Sequence, residues 1–229
     1  MLAKKKKLSK KDIKEDKLVT SFFQVQQFIE EHQKKLLIGV AAVVVIFVIA
    51  VIYTNKVEQD NLAATTQLSR IMDVYNSGSY QEAIDGRPGT NLVGLKSIVE
   101  EYGSSEQGQN AKIMLANAHY YLGDIEVAKE YFGSYSGKNP LFKGSALAGL
   151  AACKEAVGEF EDAADLYMDA ANITTENPMN ADYLLKAGLN LNKVNKFEEA
   201  KELFESIQEE YANSLAAGTA KKYLTASSN

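Results

Sequence analysis

Apolar residues along this chain follow two different patterns. From Leu36 to Tyr53 the sequence is apolar on every side of a helix and carries no charge. A helix of about eighteen to twenty residues spans roughly 27 to 30 Å, close to the thickness of the hydrocarbon core of a bilayer. This run predicts a transmembrane helix over residues 36–55. Beyond it, apolar positions recur at helical spacing with almost no sustained β alternation, which predicts an all-α domain.

Two other interpretations of the apolar run are weaker. A buried core helix would seldom lack polar residues on every face over about five turns. A cleaved signal peptide usually has an apolar region of about seven to fifteen residues and a small-x-small cleavage site. Here 35 residues precede a longer run, and no clear cleavage site follows it. An uncleaved signal anchor fits the sequence better.

The two sides of the apolar run carry opposite charge. Residues 1–35 hold ten Lys and five acidic residues, a net charge of +5, whereas residues 36–229 have a net charge of −10. Because basic residues beside a span favour the cytoplasm, residues 1–35 are predicted to be cytoplasmic and the acidic part to be exported. The lysine run at positions 4–7 lacks Arg and interleaved aromatics, so it indicates cytoplasmic retention and affinity for anionic lipid rather than nucleic-acid binding.

The cytoplasmic arm contains a predicted amphipathic helix just before the span. Leu18, Phe22, Val25 and Ile29 follow one another at spacings of three and four, so they share one helical face. This apolar face needs a partner, and three remain open: the lipid headgroup layer, another membrane protein, or a continuation of the span into the cytoplasm.

The exported part contains internal repeats. Residues 97–115 align without gaps onto residues 206–224, with nine identities in nineteen positions. Between these two segments, turns recur at Gly123, Gly158 and Asn195, which are 35 and 37 residues apart. A period of this size predicts stacked pairs of antiparallel helices.

These repeats set the predicted domain boundaries. The chain divides into a Lys-rich arm at 1–35, a transmembrane helix at 36–55, a degenerate first repeat and connector at 56–108, and three repeats with a C-terminal capping helix at 109–229. The capping helix is expected to be N-capped by Ser214 and to shield the last repeat.

The degenerate first repeat has a predicted turn at Gly78 and a loop before its next helix. Its two apolar helical faces carry Leu68, Ile71, Met72 and Tyr75, then Leu92, Leu95, Ile98 and Tyr102.

Each later repeat places small residues where its two helices cross, with an aromatic residue beside them. The small residues are Ala116, Ala151 and Gly188 on the first helices and Ala128, Ala163 and Ala200 on the second, and the aromatics are Phe132, Tyr167 and Phe204. This pattern resembles the tetratricopeptide repeat, although its early Trp is absent and Asn195 stands in place of the turn glycine.

No motif for catalysis, a cofactor or a metal ion is present, so the chain is not expected to be an enzyme. His32 and His119 lie on opposite sides of the predicted span, and His119 falls at a packing position. Cys153 is the only cysteine, which excludes a disulfide within the chain and indicates a small buried residue. Paired acidic residues in the repeats are expected to lie on solvated helical faces.

Stacked helix pairs form a concave groove that is lined by their first helices. By the resemblance, the groove-facing positions in the three repeats are Asn110, Ile113, Asn117 and Tyr120, then Ser145, Ala148, Ala152 and Glu155, then Asp182, Leu185, Leu189 and Asn192. An Asn amide can donate to and accept from the backbone of an extended peptide, although exposed Asn is also tolerated without a role. The basic residues that clamp a terminal carboxylate in some of these repeats are missing, so an internal or unfolded segment is the expected ligand.

The layout of arm, anchor and acidic repeat domain resembles the bacterial ancillary Sec-translocon subunit family across nearly the whole chain. The resemblance implies a non-enzymatic adaptor with protein partners, anchored in the inner membrane with its C-terminal domain in the periplasm. There it would assist the translocon and periplasmic chaperones in handling newly exported proteins. A Tyr-x-x-Ser-x(5)-Ala motif at 102–111 and 211–220 is also similar to periplasmic repeat proteins, so a structural scaffold for envelope assembly or division is the alternative.

Overall fold

A computed structural model describes residues 10–226 of the chain, with side chains from residue 20 onward. This part of the chain is helical, with no strand, and divides into two compact units that meet at Asn55 and Lys56. The helices are α1 (Lys10–Asn76), α2 (Tyr80–Asp85), α3 (Leu95–Tyr102), α4 (Glu106–Leu122), α5 (Ile125–Gly133), α6 (Pro140–Ala156), α7 (Phe160–Asn172), α8 (Asn180–Lys193), α9 (Phe197–Glu210) and α10 (Leu215–Ala226). The predicted all-α class is confirmed. The lysine run at 4–7 and the side chain of Leu18 lie outside the described residues.

Helix α1 runs without a break over 67 residues, so the predicted amphipathic helix and the predicted span belong to one element. Phe22, Val25 and Ile29 are exposed on it. Within residues 20–76, an apolar window of 18 residues has a mean hydropathy of 3.2 and no buried residue. Among the described helices, α1 is the one long and apolar enough to cross a membrane, which is compatible with a single-pass anchor.

The same turn closes four helical hairpins. The turn residues are Gly78, Gly123, Gly158 and Asn195, with φ angles of 77°, 86°, 84° and 64°. This left-handed region is open to Gly and, among the other residues, is most accessible to Asn. In each turn the following amide donates to a carbonyl five residues earlier, as from Asp124 to His119 at 2.9 Å and from Lys196 to Leu191 at 3.0 Å. All four turns were predicted from the sequence, and Asn195 adopts the glycine conformation.

The hairpins pack through small residues on their facing helices. Ala128, Ala163 and Ala200 are fully buried on the second helices α5, α7 and α9. The predicted aromatics Phe132, Tyr167 and Phe204 are buried beside them. Two glycines permit this packing: a Cβ on Gly149 would lie 2.3 Å from the ring of Phe132, and one on Gly188 would lie 2.5 Å from the ring of Phe204.

The duplicated motif at 102–111 and 211–220 is a turn followed by a helix start. The Oγ atoms of Ser105 and Ser214 accept a hydrogen bond from the third amide of α4 and α10, at 3.0 and 3.1 Å. Each serine amide donates to the carbonyl of the tyrosine three residues earlier, at 2.9 and 2.8 Å. The predicted cap at Ser214 is confirmed, and α10 extends to Ala226.

The first repeat buries the predicted face of α1 with one exception. Leu68 and Ile71 lie in a core with Ile84 and Leu95, but Met72 is exposed. The buried positions of α1 follow spacings of four and three from Ala64, and a residue next to Ile71 is turned about 100° away from it. Placing Met72 on this face was therefore wrong.

Candidate peptide-binding groove

A cavity of about 260 Å³ opens between the first helices of the three repeats, α4, α6 and α8. Its lining residues are Asn117, Tyr120, Tyr121, Phe132, Ser145, Ala148, Gly149, Ala152, Glu155, Tyr167, Tyr183 and Lys186. Four tyrosines and one phenylalanine form its walls, and small residues of α6 form one side. Aromatic walls combined with a few convergent polar groups are common in ligand sites.

The structure brings the predicted groove residues of the first two repeats together only in part. Asn117, Tyr120 and Glu155 line the cavity, together with the predicted Ser145, Ala148 and Ala152. Ile113 is only 6% exposed because it packs in a core cluster with residues of α5 and α6. Asn110 is also buried, and its amide nitrogen donates to the side chain of Gln107 at 3.2 Å.

The third repeat contributes residues that the sequence pattern did not single out. Tyr183 and Lys186 of α8 line the cavity, whereas the predicted Asp182, Leu185, Leu189 and Asn192 are half-buried and lie outside its lining. Tyr183 and Lys186 each follow a predicted residue by one position. A step of one residue turns a side chain by about 100° around a helix, so the predicted face of α8 is rotated from the observed one.

Glu155, in the wall of the cavity, accepts hydrogen bonds from two neighbouring side chains. Its Oε1 accepts a hydrogen bond from Lys193 Nζ at 2.7 Å, and its Oε2 accepts one from the Tyr167 hydroxyl at 3.3 Å. Burial acts to raise the pKa of Glu155, but hydrogen bonds from Lys193, Asn190 and Tyr167 outweigh it and lower the pKa. The carboxylate is therefore charged at neutral pH and already balanced by Lys193.

Burial keeps two phenols of the cavity protonated. It raises the pKa of Tyr167, with a further contribution from the carboxylate of Glu155, and it raises the pKa of Tyr120. The ammonium of Lys186 lies 5.3 Å from the centre of the Tyr167 ring, in a cation–π arrangement. The cavity thus presents hydroxyl and ammonium donors against aromatic walls.

Tyrosine rings continue from the cavity toward the first repeat. Tyr121 stacks on Tyr80 with ring centres 4.8 Å apart and an interplanar angle of 13°. Tyr80 meets Tyr75 edge to face at 5.6 Å, and Tyr120 meets Tyr121 in the same way at 5.9 Å. These four residues form what we call the tyrosine array. Offset and edge-to-face contacts of this kind hold aromatic rings in a fixed geometry.

Cys153 and His119 lie outside the lining of the cavity. Cys153 is buried, and burial, with a smaller effect of Glu126, raises its pKa to about 11, which disfavours the nucleophilic thiolate. His119 Nδ1 lies 3.1 Å from Asp124 Oδ2 at the Gly123 turn, and the His119 ring stacks on Tyr131. In the part of the chain that the structure describes, no group of three or more His, Cys, Asp or Glu side chains could hold a metal ion.

The fold has counterparts among solved structures. A kinesin light chain-like protein of Podosopora anserina, described as having nearly identical TPR-like repeats, and a single-residue variant of it both match with a TM-score of 0.54 and 18% sequence identity. The match covers 70% of this chain and 82% of each of theirs. No protein-family model and no curated protein matches the sequence. The chain therefore has the TPR-like repeat fold.

Proposed function

We propose that this protein is a membrane-anchored adaptor on the exported side of the inner membrane, where it assists the translocon or periplasmic chaperones in handling newly exported proteins. The observation that carries the proposal is the open cavity between α4, α6 and α8 in a chain that also has an exposed apolar helix long enough to span a bilayer. A tether of this kind raises the effective concentration of a binding surface near any chain that emerges from the membrane.

The proposed ligand is an internal or unfolded segment in extended conformation. The cavity is open, its walls are aromatic, and its polar groups can hydrogen-bond a peptide backbone. The four-part division of the chain, with residues 1–35 in the cytoplasm and 56–229 outside, is part of the same proposal. The net charge of +5 before the span and of −10 after it supports this orientation.

Photocrosslinking in intact membranes tests the adaptor role. A photoreactive residue at Tyr121, which lines the cavity and is 62% exposed, should capture translocon subunits or nascent exported proteins. The same residue at Leu215, which is exposed at the start of α10, is the matched control and should not capture them. Recovery of neither class from position 121, or equal recovery from both positions, would count against the proposal.

Thiol labelling tests the orientation. Cys153 is buried and can be replaced by Ala, after which Leu215→Cys and Gln33→Cys each introduce one accessible thiol. A membrane-impermeant maleimide added to intact spheroplasts should label position 215 and leave position 33 unlabelled. The reverse result would place the repeats in the cytoplasm.

A structural scaffold for envelope assembly or division is the second candidate. One observation favours it: Glu130, Asp165 and Glu202 are exposed at the same position of α5, α7 and α9, two residues after the buried alanine. Two residues correspond to about 200° around a helix, so these carboxylates lie on the side of each helix away from its core. Changing all three to Lys should disrupt a scaffold and spare an adaptor, whereas changing Asn117 and Tyr120 to Ala should do the opposite.

A further inference from the structure

We propose that the groove selects an extended segment in which one acidic side chain lies close to an aromatic side chain. The inference rests on the proposed function, because it assumes that an extended segment of another protein occupies the groove. It adds which side chains that segment carries and which residues of this chain recognise them.

The acidic preference follows from the charges that face the cavity. Of the two charged residues in its lining, Glu155 is ion-paired with Lys193 at 2.7 Å, whereas Lys186 has no carboxylate within 4.0 Å among the described residues. Asp182, one helical turn before Lys186, makes no ion pair with it. The unbalanced charge in the cavity is therefore positive.

Hydrogen-bond donors strengthen this preference. Within the described part of the chain, neither the hydroxyl of Tyr120 nor that of Tyr183 has a hydrogen-bond partner, and both residues line the cavity with Lys186. The carboxylate of Glu155 in the same lining already accepts hydrogen bonds from Lys193 and Tyr167. Both hydroxyls can donate to an acceptor on the ligand, and a carboxylate accepts several hydrogen bonds at once.

The aromatic preference follows from the tyrosine array. Tyr121 belongs to both features, because it lines the cavity and also stacks on Tyr80 at 4.8 Å. It is 62% exposed although its ring is fixed by contacts with Tyr80 and Tyr120. A rigid and accessible ring offers contact area at a low cost in conformational entropy. An aromatic side chain next to the bound carboxylate would stack on this ring.

The net charge of the repeats limits how acidic the ligand is. Residues 56–229 carry 15 basic and 25 acidic residues, so the positive charge at Lys186 is a local feature of an acidic unit. A run of acidic residues would extend beyond it and be repelled over about 8 Å at physiological salt. The structure therefore favours a single Asp or Glu in an otherwise uncharged segment.

Fluorescence anisotropy with the full-length protein in nanodiscs tests the inference. Five short labelled peptides with acetylated and amidated ends share a Gly and Ser background and carry Phe with Glu, Phe with Gln, Phe with Lys, Ala with Glu, or Phe with a run of Glu. The peptide with Phe and one Glu should bind about three- to fivefold more tightly than the one with Gln, as expected for a partly exposed ion pair. Replacing its Phe by Ala should weaken binding about tenfold. Empty nanodiscs control for partitioning into lipid.

Charge reversal identifies the residue responsible. Lys186→Glu should make the Lys peptide bind more tightly than the Glu peptide, and Lys186→Met should abolish the difference between the Glu and Gln peptides. Lys222→Glu, at an exposed site on α10, is the matched control and should keep the original order. Circular dichroism verifies that each variant is folded.

Three results would overturn the inference: equal affinity for the Glu, Gln and Lys peptides, tighter binding of the Lys peptide to the unmodified protein, or no binding above the empty nanodiscs. Tightest binding of the peptide with a Glu run would overturn the restriction to one acidic residue. None of these results decides the adaptor role, which the crosslinking from position 121 tests separately. Peptide selectivity without any crosslink would retain the groove chemistry and reject the proposed partners.

Discussion

The predicted span and the repeats are both rich in apolar residues, yet they expose them in opposite ways. Over residues 36–55 the apolar side chains of α1 are exposed on all sides, and among the described residues of its unit, 10–55, no other helix packs against them. In the repeats, α4 to α10 bury one face through many Ala residues together with aromatic and large aliphatic residues. The span has both a higher density of apolar residues than the repeats and an arrangement that covers every side of the helix.

This difference indicates which environment stabilises each region. A helix that is apolar on every face gains nothing from folding in water and is stable in a bilayer, where its backbone is fully hydrogen-bonded. A helix with a narrow face of small residues gains from close contact with neighbouring helices. The same chemical change should therefore have different effects in the two regions, and the following predictions test this.

Removing one leucine side chain should give the largest contrast. Leu191 of α8 is 1% exposed, whereas Leu37 of α1 is 72% exposed. Leu191→Ala should lower the free energy of unfolding by about 2–5 kcal/mol, because it removes buried atoms and leaves a cavity. Leu37→Ala should change it by less than about 0.5 kcal/mol. Urea denaturation of the full-length protein in detergent, followed by tyrosine fluorescence, measures both, since the chain has 12 Tyr and no Trp.

For each of the two variants, the opposite outcome is also informative. A loss at Leu37 as large as that at Leu191 would show that α1 packs against protein rather than lipid. No loss at Leu191 would show that the small-residue contacts alone stabilise the repeats.

Adding a side chain at glycine should give the next largest contrast. A Cβ at Gly149 would lie 2.3 Å from the ring of buried Phe132, whereas Gly39 in the span has no atom within 4 Å of that position. Gly149→Val should cost about 1–3 kcal/mol by overpacking, which corresponds to a fall in the thermal midpoint of roughly 2–4 °C per kcal/mol. Gly39→Val should leave the midpoint unchanged. A lower thermal midpoint for Gly39→Val would instead indicate that a second helix packs against α1 at that glycine.

Acid should weaken the repeats and leave the span unaffected, because residues 36–55 contain no acidic or basic side chain. Although burial acts to raise the pKa of Glu155, its hydrogen bonds from Lys193, Asn190 and Tyr167 lower it in the folded state. A lowered pKa adds stability above the usual Glu value of about 4.3, and this stability is lost as pH falls through the folded value. With the carboxylate about one-third exposed, the loss should be at most about 1 kcal/mol.

Glu155→Gln should remove that part of the pH dependence between about pH 5 and pH 3. Thermal midpoints measured across this range provide the test, with Lys193→Met as the partner variant. An unchanged acid profile in both variants would show that the ion pair contributes nothing to stability.

Features fixed by local chemistry were predictable from the sequence. The hairpin turns at Gly123, Gly158 and Asn195 repeat because a left-handed residue must end the first helix of each pair, and few residue types adopt that conformation. The cap at Ser214 was predictable for the same reason, since a serine before an apolar helix satisfies its free amides. A local rule of this kind leaves a direct mark on the sequence.

Features set by neighbouring helices were not predictable to the same accuracy. The groove positions Ile113 and Asn110 are buried, and Tyr183 and Lys186 line the cavity instead of Asp182 and Leu185. To assign groove residues, the rotation of each helix about its own axis must be known to within one residue, or about 100°. That rotation depends on which neighbouring helices pack against it. The continuity of α1 was one of the three alternatives left open for the arm, and it agrees with the good helix formers that precede the span.

The smallest expected effect separates backbone strain from crowding. Gly158 and Gly218 both have no atom within 4 Å of a Cβ, but Gly158 has a φ of +84° whereas Gly218 lies inside α10. Gly158→Ala should cost about 1 kcal/mol because the left-handed conformation disfavours a Cβ. Gly158→Asn should cost less, because Asn195 adopts φ of 64° in the equivalent turn. Gly218→Ala should instead stabilise α10 by up to about 1 kcal/mol. Equal costs for Ala and Asn at position 158, measured by the same urea titration, would show that Asn195 is tolerated for a reason other than its backbone preference.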